Sequence, residues 1–127
     1  MKKNNAAVWF EIYVDDIKRA SAFYETVFDT KLERLGDPSD HHMIMMSFPS
    51  DMETYGAWGA LVQMEGVKAG GNSTLVYIHS KDCVTEESRV TTAGGQVVRP
   101  KMSIGEYGFI SLCLDTEGNM FGIHSME

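Results

Sequence analysis

The amino-acid sequence repeats one pattern of secondary structure in its two halves. In each half an alternating apolar segment, residues 8–14 or 73–79, precedes an aspartate suited to start a helix, Asp16 or Asp82. The two aspartates are 66 residues apart, about half of the 127-residue chain. Two copies of one half-exposed unit are expected to pair and to leave a concave surface, where a small-molecule site would lie.

Each half is predicted to run strand, helix, strand, strand, strand. The whole chain (residues 1–127) is expected to form a single α+β domain of two βαβββ modules in tandem, module 1 over about residues 6–65 and module 2 over about residues 73–126. The glycine-containing stretch between them has the composition of a linker. Gly94 and Gly95 are expected to end the second helix, which the pattern extends to about Ala93.

Composition excludes several classes of protein. Hydrophobic residues make up 43% and charged residues 23% of the chain, as in a soluble globular protein. No apolar run approaches the roughly 20 residues of a membrane span, and no signal-peptide pattern follows the N-terminus, so a cytoplasmic protein without a membrane partner is expected. The net charge of −7 and the scattered basic residues argue against nucleic acid. The two cysteines lack metal-site spacing and are expected to be reduced structural thiols.

Five segments of the chain carry a resemblance to a known family: residues 9–17, 22–28, 93–95, 104–109 and 115–125. The last contains Asp115-Thr116-Glu117-Gly118-Asn119, similar to the Asp-Pro-x-Gly-Asn turn of that family. The chain resembles the vicinal oxygen chelate (VOC) superfamily, which includes glyoxalase I, bleomycin-resistance proteins and extradiol dioxygenases. The resemblance implies that each sheet curls into a cup. It does not specify a reaction, because unrelated reactions share this scaffold.

The resemblance also implies four metal-ligand positions, on the first and last strands of each module. Three of them fall on Trp9, Leu75 and Gly122, and the fourth falls within residues 60–64, where Gln63 is the only polar candidate. Side chains of Trp, Leu and Gly do not coordinate a divalent ion. The sequence therefore predicts that no metal is held in the glyoxalase register, and no cofactor is expected.

Glu11, Tyr77 and His124 are the candidate catalytic residues. Strand alternation puts each of them two residues from an implied metal position and on the same strand face. If those faces line the cup, a carboxylate, a phenol and an imidazole converge there, and they could bind polar groups or transfer protons. The structural alternatives are a buried Glu11 bonded to His124 or to a tyrosine, a partly solvated His124 and a Tyr77 that belongs to the core.

Four further residues are predicted to contact the ligand: Trp9, Gln63, Trp58 and Leu75. Trp58 lies in a glycine-containing segment with Tyr55, and the sequence allows either a lip over the cup or simple packing. The ligand is expected to be an aromatic or hydrophobic small molecule, as for the antibiotic-resistance members of the superfamily.

Three functions stay open at this point. The preferred one is a metal-independent, glyoxalase/bleomycin-resistance-like small-molecule binding protein or an enzyme of that type. The second is a divalent-metal-dependent lyase (lactoylglutathione-lyase-like) or dioxygenase, with Glu11, His124 and a third ligand such as His79 or His42. The third is a dimeric regulatory or interaction module whose cup is filled by its own side chains, with Trp9, Leu75 and methionines closing it. The resemblance implies a homodimer in each case.

Overall fold

The structure is a computed structural model that describes residues 5–51 and 53–127. Over these residues the chain forms two modules of the same element order. The first consists of β1 (Trp9–Tyr13), α1 (Ile17–Phe28), β2 (Glu33–Leu35), β3 (Met43–Ser47) and β4 (Trp58–Met64). The second consists of β5 (Tyr77–His79), α2 (Cys83–Val90), β6 (Gln96–Ser103), β7 (Phe109–Leu114) and β8 (Met120–Ser125).

The two modules have the same sheet topology. The strand order is β1-β4-β3-β2 in the first sheet and β5-β8-β7-β6 in the second. In each sheet the first strand pairs in parallel with the last, and the remaining pairs are antiparallel. The sheets are separate and do not close into a barrel. The predicted α+β class and the tandem βαβββ architecture are confirmed.

Aspartate caps start both helices, as the sequence indicates. The Asp16 side chain accepts hydrogen bonds from the backbone N–H groups of Lys18 and Arg19, and Asp82 accepts one from Val84. These bonds satisfy donors that a helix start otherwise leaves unpaired. The helix α2 ends at Val90, earlier than predicted, because the chain turns through residues 91–94 and Gly94 adopts φ +103°.

The strands β5 and β6 have bounds that the sequence pattern does not indicate. The strand β5 begins only at Tyr77, and in the segment before it the Asn72 amide donates a hydrogen bond to the Thr74 carbonyl. The strand β6 continues past Pro100, where a shift in its register with β7 accommodates the missing N–H.

One apolar core joins the two modules. Phe23 and Tyr24 of α1 pack against Phe121 of β8, with ring centroids 5.8 and 5.5 Å apart. Cys83 and Cys113 are buried in the same core, and neither forms a disulfide in the described chain. The helices therefore cover one face of each sheet, and the opposite faces are left for a ligand or a partner.

Polar groups of the turn before β8 bind module 1 directly. The Glu117 carboxylate accepts hydrogen bonds from the backbone N–H groups of Asp15 and Asp16 and forms an ion pair with Arg19. The Tyr24 hydroxyl donates to the Asp115 carboxylate over 2.7 Å. The turn that carries part of the family resemblance therefore connects the modules.

No helix within residues 5–51 and 53–127 is long and apolar enough to cross a membrane.

Candidate ligand-binding site

The strand β1 presents a polar and aromatic face on the side of the sheet away from α1. Ile12 and Val14 are buried in the core beneath the helix, so Trp9, Glu11 and Tyr13 lie on the opposite face. On the neighbouring strand β4, Trp58 pairs with Trp9 and Ala60 pairs with Glu11. The sequence predicts a ligand on this face.

A cavity of about 470 Å³ runs along β1 and between the modules. Its walls come from β1, from the connection between the modules and from the start of β8. Both faces of β1, an edge strand, contribute to them. They include Trp9, Phe10, Glu11, Ile12, Tyr13, Tyr24, Val67, Lys68, Asn72, Ser73, Thr74, Met120 and Phe121. Its volume lies in the range of small-molecule sites, and aromatic rings with a few polar groups are the usual lining of such sites.

Glu11 is held at this cavity by two hydrogen bonds within its own strand. The Trp9 indole N–H donates to Oε2 over 3.1 Å, and the Tyr13 hydroxyl donates to Oε1 over 2.7 Å. The hydrogen bond to Glu11, with partial burial and the negative charge, raises the pKa of Tyr13, so its hydroxyl remains a donor at neutral pH. Glu11 is thus bonded to a tyrosine, as in one of the structural alternatives that the sequence leaves open, but Glu11 is exposed rather than buried.

The two tryptophans of the chain contact each other on this face. Their ring centroids are 4.8 Å apart and the ring planes meet at 85°. Trp58 also lines a second cavity of about 280 Å³, with Lys31, Glu33 and Ser47. Trp58 therefore packs against Trp9 and borders a cavity at the same time, whereas Tyr55 is 88% exposed.

Tyr77 and His124 lie on the second sheet and do not line the larger cavity. The Tyr77 ring lies against Gly122, its partner on β8. His124 Nε2 is 2.7 Å from the carbonyl oxygen of Tyr107, so Nε2 carries the hydrogen in this bond. The structure joins Glu11 to Trp9 and Tyr13 and joins His124 to Tyr107. A shared role of Glu11, Tyr77 and His124 stays a prediction.

Gln63 and Leu75 lie outside the cavity walls. Gln63 is on the helix side of β4, where its Oε1 accepts the backbone N–H of Ile17 over 2.7 Å and helps to start α1. Leu75 is 38% exposed in the segment before β5. Sequence reasoning missed Lys68 and Asn72, which it assigned to a linker, and Ser73 and Thr74, which it assigned to the first strand of module 2. Their polar composition at the expected junction of the modules was the available signal.

The pairing of the strands identifies the fourth position of the implied metal set. Glu11 and Tyr77 occupy equivalent positions in the repeat, and their partners on β4 and β8 are Ala60 and Gly122. The four implied positions therefore hold Trp9, Ala60, Leu75 and Gly122, and none of these side chains coordinates a metal ion. In the part of the chain that the structure describes, no three His, Cys, Asp or Glu side chains converge as a metal site. These residues do not fit a glyoxalase-type divalent ion.

Comparison with known proteins agrees with this fold. The family model of the Glyoxalase/Bleomycin resistance protein/Dioxygenase superfamily matches residues 6–123. This chain belongs to that superfamily. No curated protein sequence matches the chain significantly.

Solved structures share the fold at low sequence identity. Glyoxalase I from Zea mays superimposes with a TM-score of 0.74 and 21% identity over 93% of this chain, but over only 45% of its own length. A family enzyme from Burkholderia phytofirmans PsJN superimposes with a TM-score of 0.68 and 16% identity, over 94% of this chain and 97% of its own length. A superfamily member from Sphaerobacter thermophilus superimposes with a TM-score of 0.68 and 18% identity, over 95% of this chain and 97% of its own length. This chain spans about half the length of the maize protein.

Proposed function

We propose that this chain is a small-molecule binding protein that uses the cavity along β1 and needs no metal in the glyoxalase position. The observation that carries the proposal is the cavity of about 470 Å³ beside Trp9, Glu11 and Tyr13, on a sheet whose implied metal positions lack ligating side chains. The open volume favours binding over a cup filled by its own side chains.

The walls suit an aromatic or hydrophobic compound. Trp9, Phe10 and Met120, which are half-buried in the cavity wall, supply apolar surface, which contributes most of the binding energy in sites of this kind. Glu11 supplies a fixed acceptor that would orient the compound. In an enzymatic version of this proposal, Glu11 is the group able to accept a proton and Tyr13 the adjacent donor.

The test of this proposal compares metal content with binding. The purified protein is expected to carry far less than stoichiometric metal, before and after dialysis against a chelator and incubation with Zn²⁺, Ni²⁺ or Fe²⁺. Aromatic compounds that raise its melting temperature are expected to do so equally with the chelator present, because the site residues bind them directly. Near-stoichiometric metal, together with binding that the chelator abolishes, would favour the metal-dependent lyase or dioxygenase instead.

We also propose that the protein is a homodimer, as the family resemblance implies. The second module exposes apolar side chains away from its helix, including Leu75 (38% exposed), Tyr77 (45%) and Val98 (45%). A second subunit that covers this face would remove those side chains from water. We expect a dimeric mass by light scattering and a monomer for Val98→Asp. The matched control is Val84→Asp on the outer side of α2, where Val84 is 48% exposed, and it should remain dimeric.

A cytoplasmic location is part of the same proposal. Cys83 and Cys113 are buried thiols, and burial, with the nearby Glu87 and Cys83, raises the pKa of Cys113 to about 11. A thiol of such high pKa is a poor nucleophile, which suits a structural role in a reducing compartment.

A further inference from the structure

We infer that the compound bound along β1 carries a positively charged ammonium group, which Glu11 and the surrounding aromatic rings recognise. This inference rests on the proposed function and specifies the chemical class of its ligand.

The carboxylate of Glu11 has no positive partner in the described chain. The ion pairs there join Arg19 to Glu117, His42 to Glu65 and Lys101 to Asp82, and none involves Glu11. Its two hydrogen-bond donors, the Trp9 indole and the Tyr13 hydroxyl, are neutral. A carboxylate accepts about four hydrogen bonds, so acceptor positions remain for the N–H groups of an ammonium ion. Within residues 5–51 and 53–127, the negative charge of Glu11 is therefore fixed in place and has no opposite charge bonded to it.

The aromatic side chains around Glu11 are those that attract cations most strongly. Indole rings bind an ammonium group through the negative charge of their faces, more strongly than phenol or benzene rings do. Trp9 turns its N–H edge to the carboxylate and lines the cavity, and Trp58 meets Trp9 at 85°. Tyr13 is on the other side of Glu11 along β1. A cation here would contact the carboxylate, with the indole of Trp9 close beside it.

A neutral ligand would gain less from this arrangement. An apolar compound that covered Glu11 would remove water from the carboxylate without replacing it by an opposite charge, which is unfavourable. An anion would be repelled by Glu11 and by the net charge of −7. The same cavity walls therefore discriminate between compounds of equal size by their charge.

Among the described residues of the cavity wall, Lys68 is the one that carries a positive charge and so opposes a cation. It is exposed, and it belongs to the connection between the modules rather than to β1. Its ammonium group would repel a positively charged ligand, weakly because water screens exposed charges. Lys68→Gln is therefore expected to tighten binding of an ammonium compound about twofold. If the cavity instead recognises an anion, the same substitution would weaken binding of the anion. The direction of the change in affinity therefore shows whether the cavity recognises a cation or an anion.

The tryptophans provide a local signal for the experiment. The chain contains two tryptophans: Trp9 lines this cavity, and Trp58 packs against Trp9 and borders the neighbouring cavity. Their fluorescence is followed during titration with 2-phenylethylamine (a cation at pH 7), 2-phenylethanol (neutral) and 3-phenylpropanoate (an anion). These probes share a phenyl ring and a similar length. We expect a saturable change with the amine in the millimolar range and at least tenfold weaker binding of the alcohol and the acid.

Two variants test the part played by Glu11. Glu11→Gln is expected to weaken binding of the amine about tenfold and to leave the melting temperature nearly unchanged, because Glu11 is exposed. Glu106→Gln removes the same charge from an exposed residue outside the cavity and should bind the amine as the unaltered chain does.

The possible results separate this inference from the proposed function. Equal binding of the amine and the alcohol, or unchanged binding in Glu11→Gln, would overturn the inference and leave a neutral-ligand site in place. Binding of neutral aromatic compounds without binding of the amine would also overturn the inference and leave a neutral-ligand site. If none of the three probes changes the fluorescence and no aromatic compound raises the melting temperature, both the inference and the proposed function are wrong.

Discussion

Glu117→Ala is expected to lower the free energy of unfolding by about 2–3 kcal/mol at pH 7, because it removes a buried carboxylate that accepts two backbone N–H groups and pairs with the half-exposed Arg19. The Glu117 side chain is fully buried. It accepts hydrogen bonds from Arg19 over 2.6 and 2.8 Å and from the N–H groups of Asp15 and Asp16 over 3.0 and 2.9 Å. Its removal leaves those donors without their acceptor at the junction of the modules. Equilibrium denaturation in urea measures the loss.

The control for this substitution is Glu106→Ala. Glu106 is exposed in the short 3₁₀ turn Gly105–Tyr107, so its replacement should change the free energy of unfolding by less than about 0.5 kcal/mol. A similar small effect for Glu117→Ala would contradict the view that the turn before β8 holds the modules together.

The stability of the protein should fall in acid for the same reason. Burial opposes ionisation of Glu117, but hydrogen bonds from Arg19, Asp16 N–H and the Thr116 hydroxyl outweigh it and lower the pKa from 4.5 to about 2. A folded-state pKa below the unfolded value means that the stabilisation is present above about pH 4.5 and is lost as the pH falls towards 2, amounting to about 3 kcal/mol.

Asp115 acts in the opposite direction over the same pH range. Burial raises its pKa, although hydrogen bonds from Tyr24 and Asn119 oppose the shift. Its protonation therefore favours the folded state as the pH falls. Comparing the unaltered protein with Glu117→Gln cancels the contribution of Asp115 to the free energy of unfolding, because both chains keep Asp115. The difference in free energy of unfolding between the two chains should shrink from about pH 6 to about pH 2, and a constant difference would contradict the assignment.

Local patterns explain why the fold could be predicted from the sequence. Asp16 and Asp82 each bond N–H groups within the next three residues, so their role depends only on neighbours in sequence. Alternation along residues 9–13 likewise fixes which side chains of β1 share a face. Two repeats of such local signals determined the order of the elements in both modules.

The site depends on distances across the chain that local patterns do not contain. Glu117 contacts residues about one hundred positions away, so nothing in its own turn indicates an ion pair with Arg19. Gln63 was an expected ligand contact, but the register of β4 with β1 puts it on the side of α1. Likewise, the separation of the two sheets decides whether Glu11 meets His124, and no pattern within either strand encodes that separation.

Gly122→Ala is the second substitution for which we expect a large effect, a loss of about 1–3 kcal/mol of stability. A Cβ atom at this position would overlap the ring of Tyr77, its partner across β5 and β8. Alanine otherwise suits a strand better than glycine does, because glycine loses more conformational entropy on folding. The loss of stability should therefore arise only from the overlap between the new Cβ atom and the Tyr77 ring.

A double-mutant cycle with Tyr77→Ala isolates this contact. In the Tyr77→Ala background, Gly122→Ala is expected to be neutral or slightly stabilising, which gives a coupling energy of at least about 1 kcal/mol. An equal loss in both backgrounds would mean that the strain comes from elsewhere. The result also bears on the metal site, since residue 122 is one of the four implied ligand positions. The Tyr77 ring covers the place from which a longer side chain at 122 would project, so a carboxylate at this position would require that ring to move.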